Sequence, residues 1–148
     1  MVRYWQYIIL LTGIKSKFNI SLFSDTQDPH VILDLIEAHP EALLTADGGG
    51  FIPLHRAINR KVPNMKIVKL LLDCAPKSVE IKTTNGNLPL HWLVCQDSPS
   101  LPAITLVYSS YPEAIHVSNE KGMTPLDILL ESSSTKKEAL DYIMQNLQ

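Results

Sequence analysis

Proline, glycine and leucine return in this chain at one fixed interval. Pro53, Pro89 and Pro125 stand 36 residues apart, and so do Leu54, Leu90 and Leu126. Gly50, Gly86 and Gly122 keep the same step, as do Pro40, Pro76 and Pro112. Four series in one register make an internal repeat. A repeat of this period commits a chain to stacked copies of one small unit, because each unit buries its apolar face only against a neighbour.

Each copy carries two helical signals. One opens at Pro-Leu: Pro53 leads into Leu54-His55-Arg56-Ala57-Ile58, Pro89 into Leu90-His91-Trp92-Leu93-Val94, and Pro125 into Leu126-Asp127-Ile128-Leu129-Leu130. Proline at the first helical position loses nothing, since its missing N–H has no partner in the helix. Helices this short are unstable alone and require stacking. The other signal is an i, i+3, i+4 apolar face: Ile32, Leu35, Ile36; Val68, Leu71, Leu72; Ile104, Val107, Tyr108; and Leu140, Ile143, Met144. Asp28 and Pro29 are a good cap and first residue for the first of these, and Pro40 ends it near Ala38. Thr135 and Glu138 form a capping-box pair before the last. Between copies lie the turn formers Asp47 to Gly50, Asn85 to Asn87 and Asn119 to Gly122, whose Gly50, Gly86 and Gly122 are expected at positive φ.

The whole chain of 148 residues reads as one domain, with an N-terminal segment and degenerate copy over 1–46 and copies over 47–82, 83–118 and 119–148. Ser16 to Phe23 falls where a worn first helix would stand. Asn19-Ile20-Ser21 matches a glycosylation sequon, a triplet common by chance. Tyr4 to Leu11, preceded by Arg3, is open to three readings: a short signal-peptide core, an apolar cover for the open end of the stack, or a misassigned start. No small-x-small cleavage site follows it. Apolar runs stay short of the roughly 20 residues that span a bilayer. Cys74 and Cys95 are too few for a disulfide framework, and reduced thiols inside a cell are the simpler reading.

Pro53-Leu54-His55-Arg56-Ala57 and Thr124-Pro125-Leu126, followed by paired short helices and a glycine turn, resemble the ankyrin repeat, whose motif is Thr-Pro-Leu-His-x-Ala. The resemblance covers Asp28 to Gln148. Asp47, Thr83 and Asn119 occupy the position that opens a family repeat. It implies an all-α solenoid of about four stacked antiparallel helix pairs. There are departures. The period is 36 where the family has about 33, with two extra residues near Lys61-Val62-Pro63 and one in the return loop after Pro76. The family glycine after the second helix gives way to Pro-Glu-Ala or Pro-Lys-Ser. Ile52 and Leu88 replace the capping threonine, whose loss costs roughly 0.5–2 kcal/mol per helix.

Catalytic and metal chemistry finds little footing. His55 and His91 are equivalent positions of one repeat, and the resemblance makes them structural. No close Cys/His spacing suits zinc. Cys95 lies four residues after His91, the spacing for a shared helix face, yet a small residue beside a structural histidine reads the same way. Gly48-Gly49-Gly50 lacks the lysine of a phosphate loop. Trp92 and Tyr108 read as packing residues. No catalytic residue, metal or cofactor is therefore expected.

The formal net charge is −2, which gives no global attraction for nucleic acid. Residues 47–82, however, hold seven Lys/Arg against three Asp/Glu, while the other segments each come to −2. That copy is either an ordinary solvated face or a docking patch for an acidic partner. The expected function is a monomeric, intracellular protein–protein interaction module, a scaffold or adaptor with a protein partner, engaging neither nucleic acid nor membrane. The alternatives are a regulatory fragment of a larger enzyme, or a secreted or membrane-associated effector resting on Tyr4 to Leu11. By the resemblance, partner contacts fall at the turn tips and at the ends of the first helices. Those positions include Gly48, Gly49, Phe51, Asn59 and Arg60; Thr84, Asn85, Asn87, Cys95 and Gln96; and Glu120, Lys121, Met123, Glu131 and Ser132. Foremost among them are Phe51, Asn59, Arg60, Asn87, Gln96, Lys121 and Met123, with Phe51 and Met123 expected as apolar groups facing solvent.

Overall fold

A computed structural model describes residues 28–38, 40–131 and 136–147. Tyr4 to Leu11, Ser16 to Phe23, Ser132 and Thr135 lie outside the described residues. The rest is all-helical, with no strand among the described residues. The helices are α1 (Pro29–Ala38), α2 (Pro53–Ile58), α3 (Met65–Cys74), α4 (Pro89–Cys95), α5 (Leu101–Ser110), α6 (Pro125–Leu130) and α7 (Lys137–Asn146).

Their starts follow the local chemistry. The Asp28 carboxylate accepts the N–H of His30 at 2.9 Å and opens α1. Asn64 Oδ1 accepts the N–H of Lys66 at 3.1 Å and caps α3. Proline stands first in α2, α4 and α6. Thr124 supplies α6 with a reciprocal cap: its hydroxyl accepts from Asp127 N–H, and Asp127 Oδ2 accepts from Thr124 N–H at 2.8 Å. Ile52 and Leu88 have no such hydroxyl, and there only the other half of the cap is kept, with a histidine in the place of Asp127. His55 Nδ1 accepts from Ile52 N–H at 3.3 Å, and His91 Nδ1 from Leu88 N–H at 3.1 Å. One orphan donor at each helix start is thereby satisfied.

Short loops fold α3 back on α2, α5 on α4 and α7 on α6. The pairs stack in two rows. Helices α2, α4 and α6 pack in sequence in one row, and α1, α3, α5 and α7 in the other. Between the rows runs one apolar core containing Leu54, Ile58, Leu90, Leu93, Val94 and Leu129 from the shorter helices. Ile67, Val68, Leu71, Ile104, Val107 and Ile143 meet them from the longer ones.

A third element appears in each of the first three copies. Pro40–Leu44, Pro76–Glu80 and Pro112–His116 are single turns of 3-10 helix where the sequence suggested a return loop. Each tucks two residues into the core: Ala42 and Leu43, Ser78 and Val79, Ala114 and Ile115. Proline starts the turn, and the small residue lets it approach the helix ends.

The last copy departs from its register. Leu130 is 60% exposed and Met144 55%, although the equivalents Ile58, Val94, Leu72 and Tyr108 are all buried. Leu126 and Leu140 are likewise only half-buried. Tyr108 is met by the following copy, its ring centroid 6.2 Å from that of Tyr142.

Candidate interaction surface

The turn tips are built by one device used three times. Asp47 Oδ1 accepts from the N–H groups of Gly49 and Phe51, both at 2.9 Å. Asn119 Oδ1 accepts from Lys121 at 2.9 Å and Met123 at 3.1 Å. Thr83 has only a hydroxyl and accepts from Asn87 N–H at 3.3 Å. The side chain thus imitates a turn of backbone, the reason Asp and Asn suit this place. Gly50, Gly86 and Gly122 close the turns at φ of +78°, +73° and +75°.

Adjacent tips are tied together. Thr84 donates its N–H and its hydroxyl to the Gly49 carbonyl, both at 3.1 Å. Glu120 N–H donates to the Asn85 carbonyl at 3.2 Å. Asn119 Nδ2 donates to Asn87 Oδ1 at 2.8 Å, and Lys82 Nζ to the Ser118 carbonyl at 3.3 Å. Beneath the tips the imidazoles act as posts. His91 Nε2 lies 3.1 Å from the Met123 carbonyl of the following copy. His55 is fully buried; the Asn87 carbonyl favours its protonated form, but Nε2 makes no hydrogen bond of good geometry. Burial holds His55 down to about 4 and His91 below its ordinary value.

Phe51 is not a bare apolar group at a tip. It is half-buried, with its ring centroid 5.1 Å from that of Trp92 and 5.8 Å edge-on from His55. The Arg56 guanidinium carbon lies 4.5 Å above the Phe51 ring, and the same guanidinium pairs with Asp47. Burial pushes the Asp47 carboxyl up, but the Arg56 hydrogen bond and the Phe51 and Gly49 N–H groups outweigh it and hold its pKa below the usual value. Met123 is also half-buried, and both its backbone N–H and its carbonyl are engaged. Lys121 is exposed at its tip.

At the other end of the short helices the structure forms a cleft of about 370 Å³, open to solvent and lined by Asn59, Arg60, Lys61, Gln96, Asp97 and Ser98. Residues 59–64 join α2 to α3 and residues 96–100 join α4 to α5, so the cleft lies between neighbouring loops. Gln96 Nε2 donates to the Ile58 carbonyl at 3.0 Å and braces one loop against the other.

The seven foremost sequence candidates therefore divide. Phe51, Asn87, Lys121 and Met123 gather at the tips; Asn59, Arg60 and Gln96 gather at the cleft. The length of a six- or seven-residue helix, roughly 10 Å at 1.5 Å per residue, separates the groups. Phe51, Asn87 and Gln96 also do structural work through the contacts above, so the stack does depend on their identities. Arg56 and Asp97 were missed, while Lys61 was read only as a neighbour of Arg60 and Trp92 only as a packing residue. The 36-residue step could have found them, since it carries Arg56 to Trp92 and Lys61 to Asp97.

The residues weighed for catalysis are not brought into a reacting pair. Both ring nitrogens of His91 are engaged, while the Cys95 thiol contacts the Trp92 carbonyl at 3.3 Å. Desolvation raises the pKa of that thiol, with Lys136 opposing the shift. Cys74 and Cys95 are both free and exposed. Among the described residues no group of three His, Cys, Asp or Glu side chains is placed to hold a metal ion, and no helix is long and apolar enough to cross a membrane. No protein-family model matches the chain, and no curated protein matches it.

Proposed function

We propose that the chain is a protein-binding module, a solenoid of the ankyrin type that presents its turn tips and loop ends to a protein partner and acts without catalysis or cofactor. One observation carries the reading. Positions that hold the stack keep their character from copy to copy, as with Leu54, Leu90 and Leu126, or Gly50, Gly86 and Gly122. Positions on the rim do not: Phe51, Asn87 and Met123 share one register place, and Arg56, Trp92 and Ile128 another. A scaffold held by repeated residues, with variable ones along its rim, suits recognition even where some rim residues, such as Phe51 and Trp92, also pack on one another.

The test is to immobilise the full chain, identify the proteins it retains, and remeasure each with Lys121→Glu, Arg60→Glu and Lys137→Glu. Lys137 opens α7 in the other row and serves as the control. A partner lost with Lys121→Glu or Arg60→Glu and kept with Lys137→Glu supports the module. Loss with the control alone, or turnover of a small molecule by the pure protein, overturns it.

A further inference from the structure

The cleft between the α2–α3 and α4–α5 loops carries charge that the fold does not use. From residue 48 to residue 72 the chain has no Asp or Glu but holds Arg56, Arg60, Lys61, Lys66 and Lys69. Arg56 is paired with Asp47. Among the described residues no ion pair engages Arg60 or Lys61, which lie on one side of the cleft. Asp97 and Ser98 lie on the other side, and Lys61 and Asp97 do not close across it. The two loops are equivalent by register, so the same place in adjacent copies bears opposite charges.

Two further contacts fix the two loops in place. Gln96 spans from one loop to the Ile58 carbonyl, and the Asn59 N–H closes α2 on the His55 carbonyl at 3.0 Å. The cleft leaves room for a few side chains. A preformed cleft with unneutralised walls favours a ligand whose charges mirror it.

We propose that this cleft docks a peptide segment in which an acidic residue and a basic one lie close together. The inference rests on the protein-binding reading above. The partner carboxylate is held by Arg60, whose planar fork donates to two oxygens at once, with Lys61 adding positive potential. The partner cation meets Asp97. The same aspartate sets the selectivity: a phosphate, with its second negative charge, is repelled by Asp97, as is a nucleic-acid backbone. Lys66 and Lys69, exposed on α3, extend the positive field and speed encounter at low salt.

The experiment is an NMR titration of the isotope-labelled full chain with short capped peptides of Gly and Ser. One carries Glu and Lys two positions apart, one has phosphoserine in place of Glu, and one is uncharged. The Glu–Lys peptide is expected to shift the amides of residues 59–61 and 96–98 and to leave the tips unmoved. Arg60→Gln and Arg60→Glu should raise its Kd at least about tenfold at an unchanged melting temperature. Asp97→Asn should weaken the Glu–Lys peptide several-fold and strengthen the phosphoserine peptide. Shifts absent or confined to the tips, a wild-type preference for phosphoserine, or indifference to Arg60→Gln would each overturn the proposal. A captured protein partner that survives Arg60→Gln but is lost with Lys121→Glu would overturn the cleft alone and leave the binding module standing.

Discussion

His91 reaches across to Met123, thirty-two residues further on, and joins two copies through one ring. The Met123 carbonyl only accepts, so Nε2 carries the proton and Nδ1 is left to accept from Leu88 N–H. A neutral imidazole of one tautomer satisfies both bonds; the imidazolium has no acceptor left for Leu88. His55 repeats the Nδ1 half of this arrangement in a fully buried site.

Acid should therefore weaken the stack within a defined window. The folded pKa of His55 is depressed to about 4 from an ordinary 6.5, and that of His91 is depressed as well, both first by desolvation. Below pH 6.5 the unfolded chain binds protons that the folded chain refuses. Stability is thus whole well above pH 6.5 and falls between about 6.5 and 4 as the histidine contribution is lost; at lower pH the lowered pKa of Asp47 adds a further loss. The His55 contribution is on the order of 3 kcal/mol. Urea midpoints measured from pH 7.5 to 4.5 check it, and a flat profile would count against neutral, buried histidines.

Ser78 occupies the place of Ala42 and Ala114 in the 3-10 turns and is 1% exposed, with no partner for its hydroxyl. Removing that hydroxyl relieves an unsatisfied buried group. Ser78→Ala is expected to stabilise the protein by about 1 kcal/mol, raising Tm by roughly 2–4 °C. Thermal melts of the two proteins decide it, and a lower Tm for the variant would mean the hydroxyl is bonded.

The three tip glycines share a backbone shape but not a neighbourhood. A Cβ on Gly86 would stand 2.8 Å from the backbone nitrogen of Glu120, and one on Gly50 2.5 Å from that of Thr84; one on Gly122 meets nothing. Gly122→Ala should cost only the left-handed strain, roughly 1–2 kcal/mol. Gly50→Ala and Gly86→Ala should cost more, by forcing adjacent tips apart. Equal losses at all three positions, read from denaturation midpoints, would show that tip-to-tip contact adds nothing. Asn87→Val, beside Gly86, should also destabilise, because it removes the acceptor for Asn119 Nδ2.

Phe51→Ala should destabilise by about 1–2 kcal/mol, since the ring is half-buried against Trp92 and under Arg56. A double-mutant cycle with Trp92→Ala isolates the ring pair, with a coupling of about 0.5–1.5 kcal/mol expected. Additive losses would place the two rings out of contact. Because Phe51 packs, its replacement by Ser reports on folding as much as on any partner, and Lys121 is the cleaner probe of the tips.

Much of the architecture was readable from residue types alone. Helix starts at Pro53, Pro89 and Pro125, the Asp28 cap and the three positive-φ glycines depend on a residue and its near neighbours, and local chemistry is what sequence displays directly. The 3-10 turns were not readable: Pro-Glu-Ala and Pro-Lys-Ser suit a loop equally well, and only packing against the helix ends selects a turn that buries Val79 and Ile115. The candidate surface was half legible. Register brought Arg60 and Gln96 to equivalent places, but no spacing says that two loops stand apart far enough to leave a cleft between Lys61 and Asp97.

The sequence by itself determined the unit, its period and the faces of its helices, because periodicity and turn chemistry are properties of short stretches. Tertiary structure alone decided which of those faces water reaches. Ile58 and Leu130 are the same position of the same unit, both apolar, both on a helix opened by Pro-Leu. One is wholly buried and the other 60% exposed, because burial belongs to the neighbour that packs on a residue and not to the residue.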